Sequence, residues 1–153
     1  MGNLLKGCFG CFGLLVLVAA AVAIRWYTLP PATAVLESAV RHYTEHWDFD
    51  DLKADLDPAN LSPESVEGWK GISLLLRERV GKVKAIQPFH LVRMAVNVNG
   101  TALATYETQA TVARSGKQLT IRAGCNYSNG RWLISGLNFN GPDVLAPVAP
   151  AKH

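Results

Sequence analysis

The chain is short of the residues and motifs from which catalytic centres are usually assembled. It has no glycine-rich phosphate loop, no Gly-x-Ser-x-Gly turn and no second Cys-x-x-Cys to complete a metal site. Cysteine is scarce, with Cys8 and Cys11 near the start and Cys125 far along the chain, so no intramolecular disulfide framework is expected. Only 18% of the residues are charged and 8% aromatic, and 153 residues give room for one domain. Multi-domain enzymes and repeat arrays are thereby excluded.

What is present is unevenly placed. Between Glu37 and Glu67 nine acids face two bases, and from Gly68 to His153 eleven bases face three acids. The bases are spread singly along strands and turns, so the two halves compensate each other within one domain and no nucleic-acid partner is expected.

Gly7 to Ile24 is an uncharged run of 18 residues. As a helix it spans about 27 Å, enough to cross a bilayer core. Trp26-Tyr27 and Pro30-Pro31 follow, an interfacial aromatic pair and then a helix stop. Residues 1–27 are therefore read as an uncleaved transmembrane anchor, in lipid contact. Cleavage after Ala23, in the triplet Ala21-Val22-Ala23, is the competing reading. Lys6 and the terminal amine place residues 1–6 in the cytoplasm. The expected location is the inner (cytoplasmic) membrane, single-pass, with the C-terminal domain outside. Cys8 and Cys11 then sit at the cytoplasmic end, where acylation suits them better than redox chemistry.

Residues 28–140 are read as an extracytoplasmic α+β domain. Val35, Ala39, Tyr43 and Trp47 recur every four residues between Ala32 and Trp47, with Leu36 and Val40 beside them, which is an amphipathic helix. An acidic connector with Leu52 and Leu56 ends at Asp57-Pro58. Ser62-Pro63-Glu64 then starts a second helix, with Val66, Trp69, Ile72 and Leu76 as its inward stripe and Gly81 just past its end. Beyond Gly81 the period becomes two. Strands from Val92 to Val98, from Thr101 to Ala113, through Leu119 to Asn126 and around Trp132 and Ile134 are separated by Asn99-Gly100, Ser115-Gly116 and Ser128-Asn129-Gly130. The expected architecture is two main helices on one face of a curved, four-stranded antiparallel sheet. The Pro/Ala-rich stretch 141–153 reads as a tail.

Gly81-Lys82-Val83, Tyr106-Glu107-Thr108 and the run Asn129-Gly130-Arg131-Trp132-Leu133-Ile134-Ser135-Gly136-Leu137-Asn138-Phe139 resemble the cystatin-like or nuclear transport factor two-like domains found behind a single bacterial membrane anchor. The resemblance covers about residues 32–140. It implies a cone of helices against a bent sheet, in a superfamily that runs from binding modules to isomerases and cyclases, so fold alone does not choose among functions.

Two constellations invite chemistry. His42-Tyr43-Thr44-Glu45-His46 matches the H-x-x-E-H of inverted zinc peptidases, with His42 and His46 one helical turn apart, but a third ligand must come from Glu64, Glu67 or Glu78. A solvated helix face with Tyr43 packed inward is the simpler reading, and no cofactor is expected. His90, Tyr106 and Cys125 are the residues that could line the interior of a cone, yet no strand carboxylate joins them and a poised base is poorly supplied.

The leading expectation is a membrane-tethered interaction module without catalytic activity. It would meet another membrane or extracytoplasmic protein through a polar sheet face bearing Thr105, Gln109, Thr111, Thr120 and Arg122. The alternatives are a small-ligand binder or isomerase-like enzyme using the cone interior, and an assembly factor for a membrane complex such as cytochrome oxidase.

Overall fold

The computed structural model describes residues 3–97 and 99–145, with side chains described for 13–24, 28–97 and 99–144. The chain opens with α1 (Asn3–Thr28), whose Leu14, Leu15, Val16, Leu17 and Ile24 are exposed. Among the described residues no helix is long and apolar enough to cross a membrane. The first third of the expected apolar run, residues 7–12, lies outside the described side chains.

Three helices follow α1: α2 (Thr33–His46), α3 (Phe49–Lys53) and α4 (Pro63–Arg79). α2 buries Leu36, Ala39, Val40, Tyr43 and Thr44. Thr44 is tolerated there because its hydroxyl donates back to the Val40 carbonyl at 2.8 Å. The helix ends on Trp47 in a left-handed conformation, φ 53°, a position glycine usually takes. Trp47 is fixed by three partners: its indole N–H donates to the Gly81 carbonyl at 2.6 Å, and its ring meets Tyr43 and Phe139 edge-on at 5.3 and 5.4 Å. Asp48 caps α3 through the Asp50 amide. Ser62 caps α4 through the Ser65 amide, with Pro63 in the first turn.

The sheet is antiparallel and has five strands, one more than expected: β1 (Val83–Ile86), β2 (His90–Val96), β3 (Ala102–Val112), β4 (Gln118–Ser128) and β5 (Arg131–Asn140). β1 and β2 pair with opposite ends of β3, along the edge that β4 leaves free. They form one edge row broken at Gln87-Pro88-Phe89. Pro88 cannot donate to a ladder, and the interruption leaves β1 with four residues, too few for a period of two to show in the sequence.

The turns also depart from expectation in one place. Asn129-Gly130 makes a tight hairpin with both residues at positive φ, 50° and 82°. Asn99-Gly100 does not. The last paired residues there are Val96 and Ala102. Beyond them the Asn97 backbone amide donates to the Thr101 carbonyl at 2.8 Å and the Gly100 amide to the Asn97 carbonyl at 3.0 Å, with Gly100 at φ 84°. The Thr101 hydroxyl also reaches Asn99 Oδ1 at 2.7 Å, so a longer loop closed by backbone and side-chain bonds stands in place of the two-residue turn. Val98, expected to end the strand, lies outside the described residues.

Alternation along β3 and β4 puts Ala104, Tyr106, Thr108, Ala110, Leu119, Ile121, Ala123 and Cys125 against the helices. β5 carries a bulge where Gly124 pairs with Gly136 and Cys125 with Ile134, leaving Ser135 as the extra residue. The slip lets Ile134, Leu137 and Phe139 share the inward face. The small alanines of β3 and β4 are met by large partners, Tyr43, Trp47, Phe49, Leu36 and Phe139, in a single core. The free edge of β5 is covered by the connector, with Asp57 N–H donating to the Ile134 carbonyl and Ile134 N–H to the Asp55 carbonyl.

On α4 the inward stripe differs by one residue from the expected one. Ser73 and Leu76 are buried, with Val66 and Trp69 partly so, whereas Ile72 is 48% exposed. The shift follows from Tyr43, whose hydroxyl lies 2.8 Å from Ser73 Oγ and draws that position toward α2. Packed chain also continues past residue 140, the expected domain boundary. Pro142–Leu145 form a last turn, α5, held by Asp143 to Ser115 and Lys117 and by Arg79, which donates to the Val144 carbonyl at 2.8 Å. Residues 146–153 of the expected tail lie outside the described residues.

Candidate functional site

The three residues considered for a cone interior do not converge. Tyr106 and Cys125 are buried on the inward face. His90 is exposed and pairs with Glu107, which belongs to the outward set of β3. Directly paired residues share a face, so His90 stands on the opposite side of the sheet from Tyr106. The Tyr106 hydroxyl accepts the Ala32 amide at 3.3 Å. Burial raises its pKa, the Ala32 bond works against that, and the neighbouring Cys125 adds to it. Burial also pushes the Cys125 thiol up to about 12, which removes the thiolate a nucleophile needs.

His42, Glu45 and His46 lie on the exposed side of α2 while Tyr43 packs inward. His46 Nδ1 lies 3.4 Å from Asp51. Among the described residues no three His, Cys, Asp or Glu side chains are gathered for a metal ion. Glu64, Glu67 and Glu78 are exposed along α4.

The outward sheet face is organised by cross-strand pairs that follow the β3–β4 register. Arg122 donates to Glu107 through Nε at 3.0 Å and Nη2 at 2.7 Å. Gln109 Nε2 donates to the Thr120 hydroxyl at 2.9 Å, and Gln118 Nε2 to the Thr111 hydroxyl at 3.3 Å. Thr105 stands opposite Gly124. Of the five residues expected on this face, Gln109, Thr111, Thr120 and Arg122 are thus tied into one ladder, with Thr105 at its glycine-lined end. On this face Arg122 is exposed and Thr105, Gln109, Thr111 and Thr120 are half-buried.

Three surface hollows lie elsewhere. One of about 260 Å³ runs between α2 and β1, lined by Arg41, Thr44, Glu45 and residues 83–86. A smaller one of about 100 Å³ continues past Arg41 to Glu37 and Pro88. The third, about 280 Å³, lies between α3 and α4 beside Trp47, Phe49, Leu74 and Arg77. Next to it α4 exposes Ile72, Leu74 and Leu75. The sequence signal for that apolar surface is the run Ile72-Ser73-Leu74-Leu75-Leu76, which holds more apolar residues than one helix face can bury.

No family model matches the chain, and no curated protein matches it. Two solved structures are similar. A chain named Rd1NTF2_05, in a multiply substituted form, shares 16% identity over 71% of this chain and 96% of its own, with a TM-score of 0.43. The intermembrane space region of the chloroplast protein ARC6 shares 10% identity over 74% of this chain and 98% of its own, with a TM-score of 0.36. At these identities and scores the likenesses concern backbone shape and say nothing of substrate, ligand or partner.

Proposed function

We propose that the chain is a membrane-tethered, extracytoplasmic interaction module of the nuclear transport factor two-like kind, which binds a protein partner through the outward face of its sheet and has no catalytic activity of its own. The observation that carries this reading is the one-sided layering. α2, α3 and α4 fill the inward face, and the outward face keeps a pre-ordered row of polar side chains open to a partner. Pre-ordering lowers the entropy lost when such a face docks. The apolar run Gly7–Ile24 and the exposed leucines of α1 support the tether. The absence of catalysis is supported by Tyr106 and Cys125, both held protonated by burial, and by the placement of His90 on the other face.

The test is photo-crosslinking from Thr105 and Thr111 in native membranes, with Glu64 as a control on the helical side. The expected result is one protein captured from both sheet positions and not from Glu64. Capture of nothing at either position, together with a silent Thr105→Ala/Gln109→Ala/Thr120→Ala variant in cells, overturns the proposal.

A further inference from the structure

The tether joins the domain with little slack. α1 lies against β2, and four residues, 29–32, separate its end from the start of α2. Both ends of that joint are pinned. Leu29 packs on the core, the Trp132 indole N–H donates to the Pro30 carbonyl at 2.6 Å, and the Ala32 amide donates to the Tyr106 hydroxyl at 3.3 Å. Pro30 and Pro31 each fix φ, which stiffens what lies between. A domain held this way presents a defined side to whatever surface the tether enters.

The strand that α1 meets is β2, and the composition of its edge is unusual for solvent. Leu91, Val92 and Leu103 are 46%, 51% and 53% exposed. They straddle the edge: Leu91 pairs with inward-facing Tyr106, Leu103 is on the outward face, and Val92 sits where the register slips between Leu91 and Arg93. The ionisable groups of β2 are His90 and Arg93, and the strand carries no acid. Glu107, across from His90, is already engaged by Arg122. The two edges of the sheet also differ. The connector seals β5, whereas among the described residues no strand pairs with the outer edge of β2.

Resting on the tethered reading above, we infer that the β2 edge, with Leu91, Val92 and Leu103 beside His90 and Arg93, seats against the anionic headgroup layer of the bilayer that holds α1. Apolar side chains beside a cation, here Arg93, are the composition that enters this layer. The depth is limited by the strand itself. Its outer N–H groups need water or phosphate oxygens and its outer C=O groups need water or another donor, which the headgroup layer supplies and hydrocarbon does not. A second strand added to β2 would satisfy the same backbone groups, and the experiment separates the two.

The full chain is placed in vesicles of phosphatidylcholine and phosphatidylglycerol, in a Cys8→Ser/Cys11→Ser background in which Cys125 stays buried. A fluorophore is attached in turn at Val92→Cys, Leu103→Cys, Ser115→Cys and Leu17→Cys. Headgroup-labelled quencher lipid is expected to quench the Val92 and Leu103 probes several-fold more than the probe at Ser115. Acyl-chain quencher is expected to reach the probe at Leu17. If Leu17 is not quenched, the tether fails and the inference falls with it. If Leu17 is quenched while Val92 and Leu103 match Ser115, the tether stands and the seating is overturned. Photo-crosslinking from Val92 in native membranes that yields a protein adduct in place of lipid also overturns it.

Discussion

Single side chains set much of the interior, and Ser73 shows how. Its hydroxyl donates to the Trp69 carbonyl at 2.8 Å, so the shared bond with Tyr43 must have the tyrosine as donor. That bond ties α2 to α4. Tyr43→Phe is expected to cost about 1 kcal/mol in a denaturant titration, the usual net value of one buried hydrogen bond, with no change in fold. Burial raises the Tyr43 pKa and Ser73 only partly offsets it, so the bond persists through neutral pH. Gly124 is a second such point. A Cβ there would lie 2.8 Å from Ser135 Oγ. Gly124→Ala is expected to destabilise by about 1 kcal/mol, at the mild end of overpacking, and Ser135→Ala in the same chain is expected to restore most of it. Cys125, with its thiol pushed up to about 12, is expected to resist alkylation at pH 8 in the folded protein and to react at once in denaturant.

Elements were legible in the sequence where one period dominated. α2, α4 and strands β3 and β4 carry clear periods of 3.6 or 2, and the structure has them close to the expected limits, whereas the bulge at Ser135 breaks the alternation of β5. β1 was hidden because Pro88 cut an edge row into pieces, and the Ile72 position was misjudged because a polar residue, Ser73, took the inward place. The candidate site was less legible than the fold. Alternation correctly separated Thr105, Gln109, Thr111, Thr120 and Arg122 from the core, but the pairings among them depend on register, which no single strand encodes. His90 could not be placed without the bulge in β2. α5 is hidden in the sequence because four residues show no period, and its hold combines Val144 packed on the core with polar contacts of Asp143. Hydrogen bonds from Ser115 and Lys117 keep the Asp143 carboxyl below the usual aspartate range. A carboxylate with a depressed pKa contributes stability above its unfolded pKa and loses it as pH falls through the folded one. Melting temperatures of the protein and of Asp143→Asn are therefore expected to differ at neutral pH and to converge well below pH about 4.

At the scale of the molecule, two adjoining surfaces have different work in this reading: a polar sheet face for a partner and an apolar edge for the bilayer, meeting where Arg93 pairs with Thr105. Their orientation relative to α1 depends on the joint at Pro30 and Ala32. Trp132→Phe keeps the ring in the core and removes the donor to the Pro30 carbonyl. Distances between spin labels at Leu17 and Ser115 are expected to broaden in that variant, while denaturant stability falls by only about 1 kcal/mol. An unchanged distribution would show that the proline pair, Leu29 and the Ala32 bond hold the joint without it.

The joint has a consequence for synthesis. Its two hydrogen bonds reach 102 and 74 residues along the chain, to Trp132 and Tyr106. The segment that leaves the ribosome early is therefore fastened in two steps, at Ala32 once β3 has emerged and at Pro30 once β5 has. A chain that stops short of Trp132 lacks the donor to the Pro30 carbonyl and keeps only the Ala32 bond to Tyr106 at this joint.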